Sequence, residues 1–344
     1  MNKLLSFFLI LGFYACADRQ VNSPLLDAEV KTVESRLYES DLMIKYCDAM
    51  DCSNSCIYLS AAGLHQENIA VRETDGKEIG SFGRRDQGPG EYIAPIYAGH
   101  SENKDTIYVW DMNGKLYLYS IQLQDSVFSS SFAYSINPPE SKFYQRLMRL
   151  KNGCYVGLPL EEKATDSVFV LLDSRLNKIK KFGRSPVELK ADYRDFRKCF
   201  DNARITVYGN KIFLTLGSFA YIAGYEITDS QGITTLFEKT LIQPVYHSSD
   251  GYIVFDKEKN REGFYDIAAT DKHIFTVDKS KPDGRGMEPG TFMVFDHQGN
   301  LISRIKMNHE GARICVSEDE KTLYHCVRDP NFDIASYKIE DMLK

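Results

Sequence analysis

The sequence predicts an all-β fold, a six-bladed β-propeller with about four antiparallel strands in each blade. The chain of 344 residues divides into units of roughly forty residues, in which short apolar runs alternate with Gly, Asn, Asp or Ser turns. Tyr occurs 21 times and Phe 20 times, and aromatic and β-branched runs of this kind favour strands over helices. A glycine-rich stretch at residues 80–92 has the character of a loop that connects two blades.

The predicted blades follow one another along the chain. Within them, two-residue turns such as Asp75-Gly76 join neighbouring strands. The last unit is one strand short, so we expect residues 28–33 to supply its outer strand, close the ring and remove an open sheet edge. Strand and turn signals place the six units at residues 37–83, 92–134, 141–183, 203–240, 250–307 and from 313 to the C-terminus.

The glycine-rich stretch contains the residues that we expect to form a fixed connection between blades. Glycine permits positive φ and proline holds φ near about −65°, so the chain can change direction several times within a few residues. No helical pattern follows these glycines, so we interpret the loop as structural and not as a phosphate-binding loop. The motif residues are Gly83, Gly88, Pro89, Gly90, Glu91 and Tyr92.

The order of Phe82-Gly83, residues 88–92, Pro95 and residues 107–111 resembles the repeat of six-bladed propellers of the NHL type. The chain looks similar to the NHL-like or TolB-like propeller lipoproteins of Bacteroidetes. About forty residues carry the resemblance strongly, and the other blades match by pattern. The resemblance implies the fold and an exported protein, and it implies no particular activity.

The N-terminus has the features of an export signal. Residues 1–15 combine Lys3 with an apolar run that is too short to span a bilayer, which is typical of a signal peptide. The residues before Cys16 resemble a lipobox, in which that cysteine becomes the lipidated first residue; ordinary cleavage nearby is the alternative. We therefore expect a tether at residues 16–27, a propeller at residues 28–344, and an outer-membrane lipoprotein of the cell envelope, with the periplasmic or surface face left open.

The charge of the chain argues against one class of partner. The formal net charge is −6, whereas nucleic-acid binding needs clustered Lys and Arg. Export argues against nucleic acid as well. We expect the membrane, reached through the lipid anchor, and an anionic small molecule, a glycan or a protein as partners.

Cysteine usage leaves two interpretations open. The spacing of Cys47, Cys52 and Cys56 could suggest metal ligands, but no His follows at zinc-finger distance. In an oxidising compartment we expect either a disulfide that ties a loop in the first blade or unpaired buried thiols. We expect no metal and no cofactor. Besides Cys16, the cysteines are Cys47, Cys52, Cys56, Cys154, Cys199, Cys315 and Cys326.

Catalytic motifs are not recognisable, so no catalytic residue is assigned. We propose a ligand-binding or protein-interaction scaffold, with a hydrolase or lyase at the mouth of the central channel as the alternative. The polar residues on or near predicted inner strands are richer in arginine than in carboxylate, which favours an anionic ligand. The competing interpretation is that each arginine pairs privately with a neighbouring acid. The candidate ligand-binding residues are Arg146, Arg204 and Arg313, and the wider set adds His100, Arg149, Asn202 and Asp266.

Overall fold

A computed structural model gives the architecture and confirms the predicted six-bladed propeller. Its sheets are antiparallel within each blade. The structure describes residues 28–38, 44–63, 67–84, 88, 91–92, 94–124, 127–139, 143–159, 167–187, 199–200, 202–228, 232–249, 252–256, 258–279, 290–328 and 332–344.

The N-terminal half of the fold contains two short strands and the first three blades. The short strands are β1 (Val30–Thr32) and β2 (Ser35–Tyr38). The first blade contains β3 (Ile44–Ser53), β4 (Cys56–Gly63), β5 (Glu67–Glu73) and β6 (Glu78–Arg84). The second contains β7 (Pro95–His100), β8 (Thr106–Asp111), β9 (Lys115–Gln124) and β10 (Val127–Ile136). The third contains β11 (Tyr144–Arg149), β12 (Tyr155–Pro159), β13 (Phe169–Leu172) and β14 (Lys178–Phe182).

The C-terminal half contains the other three blades and one separate hairpin. The fourth blade contains β15 (Arg204–Tyr208), β16 (Lys211–Thr215), β17 (Tyr221–Ile227) and β18 (Ile233–Thr240). A hairpin of β19 (Tyr246–Ser249) and β20 (Tyr252–Phe255) lies between blades, where the sequence analysis began the fifth unit. The fifth blade contains β21 (Phe264–Ala269), β22 (His273–Asp278), β23 (Thr291–Asp296) and β24 (Leu301–Lys306). The sixth contains β25 (Gly311–Val316), β26 (Thr322–Arg328) and β27 (Phe332–Lys338), and a short helix, α1 (Ile339–Leu343), follows.

The first strand of each blade lies on the inside of the ring. Each of these inner strands contacts the inner strand of the next blade, and β25 of the sixth blade contacts β3 of the first. Six apolar clusters fill the six interfaces between adjacent blades. At the interface between the second and third blades, the indole Nε1 of the fully buried Trp110 donates a hydrogen bond of 2.8 Å to the carbonyl oxygen of Tyr144. The ring is therefore a continuous sequence of packed sheets.

N-terminal strands close the ring, but residues 28–33 do not have the predicted role. Strand β2 pairs antiparallel with β27, from Ser35 opposite Tyr337 to Tyr38 opposite Ile334, and completes the sixth blade. Strand β1 instead pairs parallel with β24 and adds a fifth strand to the fifth blade. The N-terminal segment therefore pairs first with the outer strand of the fifth blade and then with the outer strand of the sixth.

The glycine-rich loop links β6 to β7 through contacts that explain several of its residues. The backbone N–H of Gly88 donates a hydrogen bond of 2.6 Å to Oε2 of Glu91, and the N–H of Tyr92 donates one of 3.1 Å to the carbonyl oxygen of Arg84. Gly83 has φ of +81°, and the ring of the buried Tyr92 lies against its backbone. Pro89 and Gly90 lie outside the described residues.

The seven described cysteines are free thiols, and all except the half-buried Cys154 are buried. The predicted disulfide within the first blade is therefore not present in this structure.

Replacing Gly83 by Ala should strongly destabilise the fold. A Cβ there would lie 1.3 Å from the Tyr92 hydroxyl oxygen, at a φ of +81° that side chains rarely adopt. We expect a loss of at least about 3 kcal/mol in the free energy of unfolding, measured by chemical denaturation. Gly209→Ala is the matched control, because Gly209 also has positive φ, +61°, but no atom lies within 4 Å of its added Cβ. That variant should lose only about 1 kcal/mol, and equal losses would contradict the role assigned to Tyr92.

Candidate functional site

A cavity of about 680 Å³ lies along the axis of the ring. Residues from the inner strands of all six blades line it, together with residues of the loops that follow these strands. Arg146 of β11 and Arg204 of β15 are on its wall, as are His100 and Arg149. The axial cavity therefore brings together side chains that are far apart in the sequence.

Arg146 is a buried cation with spare hydrogen-bonding capacity. Its side chain is 9% exposed, and among the described residues its guanidinium has no hydrogen bond and no ion pair within 4 Å. Burial, with the positive charge of Arg313 nearby, lowers the pKa of Arg146 to about 10, while Asp266 and Asp48 oppose this shift. Arg146 therefore still carries its charge at neutral pH, and it lines the cavity without an acceptor from the described residues.

Arg204 and Arg313 are bound to the backbone of neighbouring blades. Nε of Arg204 donates a hydrogen bond of 3.2 Å to the carbonyl oxygen of Tyr265. Nε of Arg313 donates a hydrogen bond of 2.8 Å to the carbonyl oxygen of Asp48, and Nη1 of Arg313 donates a hydrogen bond of 2.9 Å to the carbonyl oxygen of Tyr265. Arg313 is not among the residues that line the cavity. These two side chains connect the inner strands of the fourth, fifth, sixth and first blades.

Two carboxyl groups in the cavity wall, those of the buried Asp266 and the half-buried Asp51, have raised pKa values. Burial raises the pKa of Asp266 to about 6. The positive charge of Arg313 opposes this shift, as does the backbone N–H of Ile314, which donates a hydrogen bond of 3.0 Å to Oδ2 of Asp266. Burial also raises the pKa of Asp51 to about 7, and the N–H of Cys52, 2.7 Å from Oδ1, lowers it only partly. At neutral pH the charge of the cavity is therefore sensitive to small pH changes.

The expectation that arginine outnumbers carboxylate around the channel is wrong. Strand β3 of the first blade continues to Ser53 and brings Asp48 and Asp51 to the wall. Other acids come from loops that follow inner strands. The acidic lining residues are Asp48, Asp51, Glu102, Asp266, Glu318 and Glu320, and the Lys and Arg residues are Lys104, Arg146, Arg149, Lys151 and Arg204.

The loop after β25 reaches toward blades that are not its neighbours. Glu318 pairs with Lys104 of the second blade, and Glu320 accepts a hydrogen bond of 2.5 Å from the Tyr208 hydroxyl of the fourth blade. Both contacts pass over an intervening blade, so this loop leans toward the axis. Ser317, Glu318 and Glu320 of this loop line the cavity.

The other predicted polar residues have local roles. Nδ1 of His100 lies 2.8 Å from the Tyr97 hydroxyl, and burial lowers the pKa of His100. Arg149 donates a hydrogen bond of 3.3 Å to the carbonyl oxygen of His100 and lies over the ring of Tyr108. Asn202 is exposed with φ of +62° and does not line the cavity.

Three further features are the predicted lipidation site, metal binding and membrane-spanning helices. Cys16, with the predicted signal peptide and tether, lies outside the described residues. In the part of the chain that the structure describes, no group of three or more His, Cys, Asp and Glu side chains is arranged to hold a metal ion. No helix within that same part has both the length and the apolar character needed to cross a membrane.

Solved structures share this fold. A Bacteroides fragilis protein named as exported has 14% identity and a TM-score of 0.60, over 89% of this chain and 95% of that one. The WD40 repeats of RRP9 have 9% identity and a TM-score of 0.51, over 90% of this chain and 99% of that one. The β-propeller domain of Cps50 (Swd1) from Myceliophteria thermophila has 8% identity and a TM-score of 0.51, over 89% of this chain and 100% of that one. Identities this low establish likeness of fold alone.

No protein-family model matches the chain, and no curated protein matches its sequence.

Asp51→Asn should change how stability depends on pH. Asp51 has a pKa of about 7 in the fold, against about 3.9 for an aspartate in an unfolded chain. Between these values the folded protein keeps a proton that the unfolded chain loses, so ionisation of Asp51 reduces the free energy of unfolding as pH rises from about 4 to about 7. The variant cannot ionise, so relative to wild type it should gain on the order of 2 kcal/mol between pH 5 and pH 8.

Urea denaturation at several pH values measures this difference. Asp75→Asn, in an exposed hairpin turn, is the control and should parallel wild type across the range. A difference between Asp51→Asn and wild type that does not change with pH would contradict the raised pKa.

Proposed function

We propose that this protein is an exported, membrane-anchored binding propeller of the bacterial envelope, and that its central cavity holds the anionic group of a ligand at Arg146. The observation that carries the proposal is the guanidinium of Arg146, which is buried in the cavity wall and has no hydrogen-bonded acceptor among the described residues. Arginine offers a planar fork of N–H groups that matches carboxylate, sulfate or phosphate oxygens. Such a group would supply the missing acceptors.

The surroundings of Arg146 support a small ligand. A volume of about 680 Å³ falls within the range of about 300–1,000 Å³ that is common for small-molecule sites. Arg204 lies on the same wall with its Nε bound to Tyr265, so it adds a second positive charge in a fixed place. Arg313 acts behind the wall as a positioning residue, because it joins β25 to Asp48 and Tyr265.

The six acids of the lining restrict which anion can bind. A ligand with one localised anionic group can reach Arg146 while its uncharged part contacts the rest of the wall, whereas a densely charged polyanion would meet the carboxylates of the cavity mouth. An acidic sugar, with one carboxylate or sulfate and several hydroxyl groups, fits this mixed wall. Its hydroxyl groups can donate hydrogen bonds to the carboxylates.

The location of the protein is part of the same proposal. The signal-like residues 1–15, the lipobox-like residues before Cys16 and the fold shared with a protein named as exported all support an envelope lipoprotein. A lipid on Cys16 would hold the propeller at the outer membrane. The propeller would then present its cavity to glycans on the periplasmic or the external side.

A hydrolase or lyase is the second candidate function. It is favoured by Asp51 and Asp266, two carboxyl groups of one cavity whose pKa values burial raises to about 7 and about 6. Raised carboxyl pKa values near neutrality suit general acid or base catalysis. A binding protein and an enzyme differ in whether a bound saccharide is returned unchanged.

Titration calorimetry with galacturonic acid and a monosulfated disaccharide, each with a single anionic group, tests the proposal, and the uncharged galactose analogues are the reference ligands. We expect an acidic saccharide to bind, and Arg146→Ala to weaken it by at least about tenfold, because charge-assisted hydrogen bonds contribute about 1.5–3 kcal/mol. Arg146→Lys should recover only part of the affinity, since lysine lacks the planar fork. Arg175→Ala removes an exposed arginine in a turn and serves as the matched control, with affinity like that of wild type.

The same samples separate the outcomes. Saccharides recovered unchanged after long incubation indicate a binding protein, and new products that disappear with Asp51→Asn or Asp266→Asn indicate the enzyme. Equal affinity for charged and uncharged saccharides, no binding to any of them, or acidic binding that Arg146→Ala leaves intact would reject the site at Arg146.

A further inference from the structure

Four cysteines lie together at the interface between the first and the last blade. Cys47 and Cys52 belong to β3 of the first blade, while Cys315 and Cys326 belong to β25 and β26 of the sixth. All four are buried in one apolar cluster with Met50 and other residues of both blades. Of the six interfaces between blades, this is the one at which the beginning and the end of the described ring meet.

Strand register turns the two cysteines of the sixth blade to the same side. Cys326 lies opposite Arg313 and Cys315 lies opposite Tyr324 in the antiparallel pair of β25 and β26. Because directly opposite residues share a face and residues two apart in a strand share a face, both thiols project toward the first blade. Arg313 on this face donates its hydrogen bond of 2.8 Å to the carbonyl oxygen of Asp48, which fixes β3 alongside β25.

Across this interface the thiols meet in two pairs. The side chain of Cys47 interacts with that of Cys326, and the side chain of Cys315 interacts with that of Cys52. In this structure the Cys47 thiol donates its hydrogen bond, of 3.3 Å, to the carbonyl oxygen of Ala49. The two pairs are at different heights along β3, five residues apart. One pair therefore lies near the end of β3 that adjoins Ser53, and the other lies toward its start.

The other three described cysteines are not in reach of this interface. Cys56 packs into the cluster between the first and second blades, on the opposite face of its sheet from Cys52. In the strand register Cys56 lies opposite Ser53 and not opposite Cys52. Cys154 and Cys199 belong to the cluster between the third and fourth blades. A disulfide within the first blade is therefore disfavoured by geometry.

We propose that Cys47 with Cys326 and Cys52 with Cys315 form two disulfides that covalently close the ring in an oxidising compartment. Each bond forms by thiol–disulfide exchange with a disulfide-bearing oxidant of the oxidoreductase class. One thiol loses its proton and attacks the oxidant's disulfide, releasing one oxidant thiolate; the second thiolate then attacks the mixed disulfide and releases the other. Two electrons and two protons pass from the cysteine pair, and the oxidant becomes a dithiol.

Oxidation has to precede final packing of the interface. Contact between thiols and burial raise the pKa values of Cys47 and Cys315 well above those of free cysteine, so the reactive thiolate is scarce once the blades have packed. The disulfides then form while the chain folds and are hidden from reductant afterwards. The covalent closure reinforces the hydrogen bonds between β2 and β27.

The test is a disulfide map of the full chain, expressed in a Gram-negative bacterium. The cells are quenched with acid and the free thiols are alkylated in denaturant, so that buried thiols also react. Cleavage on the N-terminal side of aspartate separates Cys47 from Cys52 at Asp48 and Asp51, and Cys315 from Cys326 at Asp319. Mass spectrometry without reduction should find the peptide of Cys47 joined to that of Cys326, and the peptide of Cys52 joined to that of Cys315. Protein that is reduced in denaturant and refolded with the reductant still present should melt roughly 5 °C or more below the oxidised protein.

Variants provide the matched control. Cys326→Ala should leave Cys47 alkylated and the bond between Cys52 and Cys315 intact, whereas Cys154→Ala should preserve both bonds. The bonds depend on the export included in the proposed function, so the same chain is also refolded from denaturant with oxidised glutathione. Bonds found only after this refolding support the pairing and count against export, and neither result depends on saccharide binding. Four free thiols in the refolded native protein, or bonds joining other pairs, would overturn the proposal.

Discussion

The hydrogen bonds between β2 and β27 are the constraint on which the arrangement of this molecule depends. They join residues 35–38 to the last strand of the sixth blade, from Ser35 opposite Tyr337 to Tyr38 opposite Ile334. With this edge covered, the sixth blade has four strands, and β25 can pack against β3. Only a closed ring brings the inner strands of all six blades to one axis, so the cavity exists because the two ends of the propeller domain are joined.

The cavity shows how such a ring distributes its charges. Arg313 and Arg204 use their Nε atoms to bind carbonyl oxygens of neighbouring inner strands, and these bonds keep adjacent blades in register. Arg146 occupies an equivalent position in the third blade but has no such acceptor among the described residues. In the proposed function, the anionic group of a ligand would supply the acceptors that Arg146 lacks among the described residues.

The sequence was sufficient to predict the repeat and its strand pattern, because turn signals such as Asp75-Gly76 and strand-final Phe82-Gly83 act locally. It could not assign β1 and β2, because both strands are short and two neighbouring blades offer free edges for backbone hydrogen bonds. It also could not identify the hairpin at residues 246–255, whose strand-like residues resemble the start of another blade.

Only some residues of the candidate site could be predicted from the sequence. Arg146 and Arg204 follow from the position of the inner strands, and the structure places both in the cavity wall. Asp48 and Asp51 were missed because the register shifts in β3, between Ile44 and Tyr46 and between Cys47 and Ala49, interrupt the alternation by which a strand is recognised. The carbonyl acceptors of Arg313 come from the first and fifth blades, and sequence alone does not show contacts between distant segments.

A crystal structure of the protein in complex with a saccharide that carries one carboxylate, such as galacturonic acid, tests the central claim most directly. The account predicts one carboxylate of the saccharide inside the axial cavity, with both oxygens at about 3 Å from the guanidinium nitrogens of Arg146, as expected for a bidentate charge-assisted pair. A saccharide bound only on the outside of the ring, or inside the cavity with its carboxylate away from Arg146, would contradict it.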